Sequence, residues 1–271
     1  MDYDVAIIGG AFSGAATALV LKRRCPNARV LIVEKNAAFD RKVGESTTEI
    51  SSCYMTRILG MTQHLGHHHI AKQGLRMWFS QKAEQPFDDC VEIGARYGAR
   101  LSGFQVDRAT LDSHMLEQAV KAGCDLLRPA KVTGLQLNGA EGQTVGVSTA
   151  NQDRTIRTRW IVDASGRTAL ISRMLGYFRP NTEHPINAVW ARFTAAEISR
   201  FRQRLSHQPI VGDEPSHGLW LVVLDYSVAR RRCQRWHRLR QPDFRIASWL
   251  FSRPAFARPS DCASDWSRDF R

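Results

Sequence analysis

The sequence has 271 residues, of which 43% are hydrophobic and 24% are charged, and its formal net charge is +12. This composition is typical of a soluble globular protein, and the absence of a long apolar run excludes a membrane-spanning chain. The first residues include Asp2 and Asp4 and lack the basic and then apolar layout of a signal peptide, so a cytoplasmic location is expected. The six cysteines are scattered without a CxxC pair, which is typical of reduced, ordinary residues.

The N-terminal residues predict a β-α-β unit. An apolar run at 3–8 predicts a strand, an Ala- and Leu-rich segment at 13–24 predicts a helix, and 29–34 predicts a second buried strand with an acidic end. A unit of this length joins two parallel strands through a crossover helix. The sequence therefore predicts an α/β fold.

Further helices and strands are predicted downstream. A polar loop at 40–48 precedes a helix that ends near Leu59, and Asp107 is expected to cap a helix at 108–122 that ends at Gly123. The remaining predicted elements are short strands at 75–79 and within 91–104, a β meander at 131–137, 144–149 and 155–164, a helix at 168–175, and strands at 188–193 and 219–224.

The first turn of the β-α-β unit carries a dinucleotide-binding pattern. Gly9, Ala11 and Gly14 occupy the three positions of GxGxxG, with Ala in the middle position. Small residues allow the backbone to approach a pyrophosphate, and the helix that follows offers free N–H groups. Glu34 ends the second strand at the distance where an acid accepts hydrogen bonds from ribose hydroxyls. The alternative is a glycine-rich turn in an unrelated α/β fold.

Three later blocks favour FAD over NAD. A loop with two cations, a glycine and two polar acceptors spans 41–46, Arg108 lies at the start of a predicted helix, and a buried strand ends in Asp163 and Gly166. At these residues the chain resembles the FAD-dependent monooxygenase superfamily that shares the para-hydroxybenzoate hydroxylase fold. Within it, the chain is most similar to the branch of flavin-dependent halogenases and geranylgeranyl-reductase-like enzymes. The resemblance covers roughly residues 1–225, with the blocks in the family's order.

The resemblance implies a domain arrangement. A Rossmann-like FAD-binding domain is expected from 1–75 and 105–178, with an inserted β-rich substrate domain from 76–104 and 179–225. The fold is expected to be incomplete at the C-terminus, because the family's later Gly-Asp block is missing. Gly212 and Asp213 form that dipeptide too early, in a segment that Pro215 makes a loop.

The resemblance also implies roles for the site residues, carried over by position. The pyrophosphate is expected to contact Gly9, Ala11, Ser13 and Gly14, and the adenosine ribose to contact Glu34. The flavin side is expected to be bordered by Arg41, Glu45 and Ser46. Arg108 is expected to reach the phosphate and ribityl region of the cofactor, and Asp163 is expected to face the ribityl chain. Structural alternatives stay open for three of them, because Arg108 could pair with Asp112, Asp163 could cap the next helix, and Glu45 could be a solvated loop acid.

For activity, the resemblance implies that reduced FAD and dioxygen transfer oxygen to a small organic substrate, such as an aromatic ring, or oxidise halide to hypohalous acid. No second dinucleotide pattern is present, so reduced flavin is expected from a separate flavin reductase or a transient nicotinamide encounter. Halogenases of this type use a lysine between flavin and substrate, and Lys72 is the candidate here. The alternative is a solvated loop lysine. The halogenase block Trp-x-Trp-x-Ile-Pro is not present, so the sequence neither supports nor excludes a halogenase. A dehydrogenase or double-bond reductase is the alternative activity within the class.

The four histidines between 64 and 69 raise the question of a metal site. His64 and His68 have helical (i, i+4) spacing, but no further ligand follows at a fixed offset. Gly66 between them favours a loop. No metal site is therefore predicted.

The last 46 residues, 226–271, form an atypical tail. They contain 11 arginines, no lysine and 4 aspartates, which gives a net charge of +7, whereas the preceding residues carry only +5. The preferred hypothesis is that the reading frame slipped near 216–228, so that this tail is not a selected sequence. The alternative is a basic tail that binds an acidic partner, with Trp236 and Trp249 stacking on nucleic acid; nucleic acid is not the expected partner.

Overall fold

The computed structural model describes residues 1–72, 74, 76–79, 91–94, 101–180, 187–193 and 219–225. In chain order its principal elements are β1 (Tyr3–Ile8), α1 (Phe12–Arg24), β2 (Val30–Val33), α2 (Glu49–Cys53), α3 (Thr62–His68), β3 (Ile70–Lys72), β4 (Arg76–Phe79), β5 (Val91–Gly94), β6 (Gly103–Gln105), α4 (Arg108–Lys121), β7 (Asp125–Leu127), β8 (Ala130–Leu137), β9 (Gln143–Thr149), β10 (Asp153–Asp163), α5 (Leu170–Met174), β11 (Asn187–Phe193) and β12 (Leu219–Asp225).

A six-stranded sheet organises the described residues, in the order β7-β2-β1-β10-β9-β8. The first four strands of this order are mutually parallel, whereas β9 and β8 run antiparallel to their neighbours. Strand β1 is central, and its buried residues are apolar because both faces of the sheet are covered there. The predicted α/β fold and the predicted meander are therefore confirmed.

Helices α1 and α4 pack against each other and against one face of the sheet. The contact is made by small and branched apolar side chains, among them Ala15, Leu19, Leu111 and Met115. Asp107 caps α4 as predicted, since its carboxylate accepts hydrogen bonds from the N–H groups of Ala109 and Thr110. This packing fixes the start of α4 beside the start of α1.

The segment between β2 and β6 differs in detail from its prediction. The helix that starts at Glu49 continues through a π-helical turn at Tyr54–Ile58. The prediction of a loop around Gly66 is wrong, because Gly66 lies within α3. The burial of Leu65 against the core outweighs the roughly 1 kcal/mol that a glycine costs in a helix.

Three two-stranded sheets complete the described elements: β3 with β6, β4 with β5, and β11 with β12. The predicted strands at 188–193 and 219–224 are found as β11 and β12. The Gly212-Asp213 dipeptide and the tail at 226–271 lie outside the described residues. Within the part of the chain that is described, no helix combines the length and the apolar character needed to cross a membrane.

Candidate functional site

The glycine turn between β1 and α1 leaves no room for larger side chains. Gly9 has φ of +102°, which only glycine adopts readily, and a Cβ atom there would collide with the carbonyl group of Ala164. A Cβ atom on Gly14 would collide with the carbonyl oxygen of Gly9. The turn is therefore held in the close-packed form in which a backbone can approach a phosphate.

The start of α1 is open to an anion. Its N-cap, Ala11, provides no side-chain hydrogen bond, and no acidic residue lies in the first turn. The first N–H groups of a helix have no intrahelical partner, and the helix dipole adds positive charge at that end. Ser13 lies in this first turn and is exposed. A pyrophosphate is the type of ligand that these N–H groups suit.

Glu34 follows β2 and is buried next to the glycine turn, with only 4% of its surface exposed. Its Oε2 atom accepts a hydrogen bond of 2.8 Å from the N–H of Gly10, and its Oε1 atom accepts one of 2.8 Å from the N–H of Asn36. Carboxylate oxygens have several lone pairs each, so the group can accept further hydrogen bonds from a ribose. The structure thus brings the predicted acid to the predicted turn.

Asp163 reaches the same edge of the sheet because β10 is parallel to β1, with Asp163 opposite Ile8. Its carboxylate accepts hydrogen bonds from the N–H groups of Ser165 (3.0 Å) and Ile171 (2.8 Å). Burial raises the pKa of Asp163, but the hydrogen bonds from Ser165 and Ile171 together outweigh it, so the pKa lies below its usual value. Ile171 lies in the first turn of α5, so Asp163 binds the start of the next helix, as the alternative from the sequence suggested, although Ala169 occupies the N-cap position.

The loop at 41–46 is tied to the start of α4 by ion pairs and hydrogen bonds. Arg41 pairs with Asp107 at 2.8 Å, and Lys42 pairs with Asp112 at 2.6 Å. Glu45 is buried, with 5% exposure, and its Oε1 atom accepts a hydrogen bond of 3.3 Å from the N–H of Arg108. The interpretation of Glu45 as a solvated loop acid is therefore wrong. The ion pair between Lys42 and Asp112 was not predicted from the sequence.

Arg108 lies between this loop and α1. Its Nε and Nη2 atoms each donate a hydrogen bond of 3.1 Å to the carboxylate of Asp112, as the (i, i+4) alternative requires. Its guanidinium carbon lies 5.8 Å from the centre of the Phe12 ring, at the first residue of α1. Arg108 therefore pairs with Asp112 and at the same time lies near the glycine turn.

Lys72 is placed beside the same loop. In the pairing of β3 with β6, Lys72 lies opposite Gly103. Gly103 packs closely against the loop, because a Cβ atom on it would lie 2.5 Å from the carbonyl oxygen of Thr47. The Nζ atom of Lys72 donates a hydrogen bond of 2.9 Å to the Oγ atom of Ser46. Burial lowers the pKa of Lys72, and the nearby Glu49 carboxylate opposes this shift. Lys72 is thus held by a partner rather than extended into solvent.

The histidines form a stacked cluster between α3 and α4. The rings of His64 and His114 stack with their centres 3.7 Å apart, and His68 and His69 lie within 5.1 Å of His64. Among the described residues, no group of three or more His, Cys, Asp or Glu side chains is arranged to hold a metal ion. Burial is the largest cause that lowers the pKa of His64, to about 3. The nearby His114, His69 and His68 lower this pKa further in smaller steps.

Comparison with known proteins decides the family. Residues 2–249 match the family model described as an FAD binding domain. The chain belongs to this FAD-binding family. The match extends into the arginine-rich tail.

Several proteins that are similar to this chain are halogenases. It is 23% identical over 227 residues to flavin-dependent halogenase chlA of Dictyostelium discoideum, covering 73% of the chain and 38% of the relative. It is 26% identical over 193 residues to tetracycline 7-halogenase of Kitasatospora aureofaciens, covering 64% of the chain and 33% of the relative. The chain thus spans well under half of the length of either protein.

A solved structure shows the same fold. The crystal structure of halogenase PltM in complex with phloroglucinol and FAD superimposes with a TM-score of 0.57 at 22% identity, over 69% of this chain and 39% of that one. The predicted Rossmann-like FAD-binding fold, the predicted cofactor FAD and the resemblance to the flavin-dependent monooxygenase and halogenase superfamily are confirmed.

Proposed function

We propose that this FAD-binding chain serves an oxidoreductase that halogenates a small organic, aromatic substrate, with reduced flavin delivered by a separate flavin reductase. The observation that carries the proposal is the placement of Lys72, whose ammonium group is hydrogen-bonded to Ser46 in the loop that borders the expected flavin position. The similarity to several flavin-dependent halogenases supports it. The chain spans only part of the length of those enzymes.

The glycine turn fits the proposed cofactor, since the space that Cβ atoms on Gly9 and Gly14 would need is filled by backbone. In this proposal the N–H groups at the start of α1, with Ala11 and Ser13, hold the pyrophosphate, and Glu34 accepts hydrogen bonds from the adenosine ribose. Arg108 contacts the phosphate and ribityl region. When bound and reduced, FAD supplies the two electrons that activate dioxygen for oxidation of a halide.

The loop at 41–46 and the turn at 163–165 border the flavin side in the same proposal. Arg41 and Glu45 fix this loop through Asp107 and Arg108, and Ser46 orients Lys72. Asp163 holds the turn in place through its bonds to Ser165 and Ile171, with its remaining lone pairs directed to the ribityl hydroxyls. Lys72 then acts as the catalytic residue, because its Nζ atom donates a proton or holds the oxidised halogen next to the substrate.

The test is product analysis with the full chain. Purified protein with FAD, a flavin reductase, NADH and bromide is offered phenols, pyrroles and indoles, and products are identified by mass spectrometry. A bromine isotope pattern that depends on the protein supports the proposal. Protein that binds FAD but yields no halogenated product from any of these substrates, with chloride or bromide, would contradict it.

Oxygenation of the substrate is the second candidate function. It is favoured by the sequence, which lacks the Trp-x-Trp-x-Ile-Pro block that keeps halogenases from oxygenating their substrates. The same assay separates the two, because a monooxygenase yields hydroxylated products whether or not halide is present.

A further inference from the structure

We propose that Asp112 is a positioning residue of the cofactor site, which acts through Arg108 and is itself held by Lys42. The inference rests on the proposed contact between Arg108 and the cofactor. Asp112 lies one turn into α4 and is fully buried, with no exposed surface. The name charge clamp is used below for the three side chains of Lys42, Arg108 and Asp112.

The charge clamp satisfies a carboxylate that would otherwise be costly to bury. Arg108 binds both oxygens of Asp112 at 3.1 Å, and the Lys42 ammonium lies 2.6 Å from Oδ2. An ionised carboxylate loses its hydration when it is buried, and only well-placed cations compensate for that loss. Asp112 therefore constrains both cations in one geometry.

The clamp joins two segments that are far apart in the sequence. Lys42 lies in the loop at 41–46, whereas Arg108 and Asp112 lie on α4. The loop packs closely on the guanidinium group, since a Cβ atom on Gly44 would lie 2.9 Å from the Nη1 atom of Arg108. The Nη1 atom also donates a hydrogen bond of 3.4 Å to the Val43 carbonyl oxygen. Loss of the clamp is expected to loosen the loop that carries Glu45 and Ser46.

The clamp leaves part of Arg108 available for a ligand. A guanidinium group has five N–H donors, and the bonds to Asp112 and Val43 use three of them among the described residues. The bonds to Asp112 engage the side of the group that carries Nε and Nη2. The two remaining N–H groups belong to Nη1 and Nη2, at the end of a side chain that lies over Phe12 and the start of α1. Asp112 thus sets the direction in which Arg108 presents these donors.

The test is FAD affinity, measured by quenching of flavin fluorescence in the full chain. Asp112→Asn preserves the shape of the side chain and removes its charge, and we expect FAD affinity to fall about tenfold. Far-UV circular dichroism checks that the variant is folded. Glu117→Gln, an exposed acid on the same helix, is the matched control and is expected to bind FAD like the wild type.

Further variants at Arg108 and Lys42 separate positioning from general stability. If Asp112 acts through Arg108, then adding Asp112→Asn to Arg108→Met should change FAD affinity by less than about twofold, since coupled residues are not additive. Lys42→Met is expected to weaken FAD binding, whereas Lys42→Arg keeps the positive charge and is expected to bind FAD like the wild type. Lys42 is partly exposed, so this pair stays informative if Asp112→Asn does not fold.

The outcomes are distinct. Wild-type affinity in Asp112→Asn, or equal effects of that substitution with and without Arg108, would overturn the clamp and leave the proposed function standing. A wild-type chain that binds no FAD would overturn the proposed cofactor contacts as well.

Discussion

The ammonium group of Lys72 and the hydroxyl group of Ser46 are joined by a hydrogen bond of 2.9 Å. These residues belong to different segments, and both segments pair with β6: Lys72 lies opposite Gly103, and Ser46 forms a β-bridge with Gln105. The bond connects the proposed catalytic lysine to the loop proposed to border the flavin. It explains how a lysine on the short strand β3 can be held in one position.

Substitution of Lys72 is the first prediction. We expect Lys72→Met to lower the rate of halogenated product formation by about 100-fold or more, because the group that donates the proton is lost. FAD affinity should stay within about threefold of the wild type, since the lysine is not assigned to the cofactor. Product rates are measured by mass spectrometry, with Lys131→Met, an exposed lysine on β8, as the control. Unchanged product formation would show that the bond to Ser46 is only structural.

Substitution of Gly14 is the second prediction. Gly14→Ala places a methyl group against the Gly9 carbonyl, so the turn must shift and FAD retention should be lost. The free energy of unfolding is expected to fall by about 1–3 kcal/mol. The visible absorbance of purified protein and urea unfolding measure the two effects. Gly134→Ala is the control because its Cβ meets no atom within 4 Å, and a fully yellow Gly14→Ala protein would contradict the assignment.

Glu34 provides a prediction about ligand preference. Glu34→Gln keeps an acceptor for Gly10 but removes the charge, and we expect FAD affinity to fall about tenfold. FMN lacks the adenosine, so its affinity should be unchanged in the same variant. Fluorescence titration with each flavin tests this difference. Equal losses for FAD and FMN would show that Glu34 supports the turn and does not contact the ribose.

The histidine cluster predicts a dependence of stability on pH. Burial and His114 lower the pKa of His64 to about 3 from 6.5, so the unfolded chain takes up a proton that the folded chain does not. Stability is therefore full above pH 6.5 and falls as the pH decreases from there towards 3. Allowing for solvent screening of a partly exposed group, about 1 kcal/mol should be lost between roughly pH 7.5 and 5.

Urea unfolding at the two pH values measures this loss. His64→Gln should remove most of it, whereas His67→Gln, an exposed histidine of the same helix, should not. A His64→Gln protein that keeps the wild-type difference between the two pH values would assign the effect to other groups.

Features that depend on local sequence were predictable. The glycine turn, the acid that ends β2 and the cap at Asp107 all follow from the spacing of residues within one β-α-β unit or one helix turn. The apolar strand that ends in Asp163 was predicted, but its parallel pairing with β1 was not. These signals predicted the strands and helices on which most of the proposed cofactor residues lie.

Contacts between distant segments were not predictable in the same way. The pair of Lys42 and Asp112 exists because a polar loop packs on α4, and nothing in either segment specifies the other. Strand β7 has three residues, which is too short for a periodic pattern. At Gly66 a local preference for a loop was overruled by the burial of Leu65.

The pairing of Ile8 with Asp163 has a consequence for synthesis of the protein. On a ribosome that adds about 5–20 residues per second, β1 emerges many seconds before β10. Until then β1 has an unpaired edge, and the Gly9 turn lacks the Ala164 carbonyl against which it packs. We therefore expect flavin to be captured only after β10 has been synthesised, and the edge of β1 to stay exposed on the nascent chain until then.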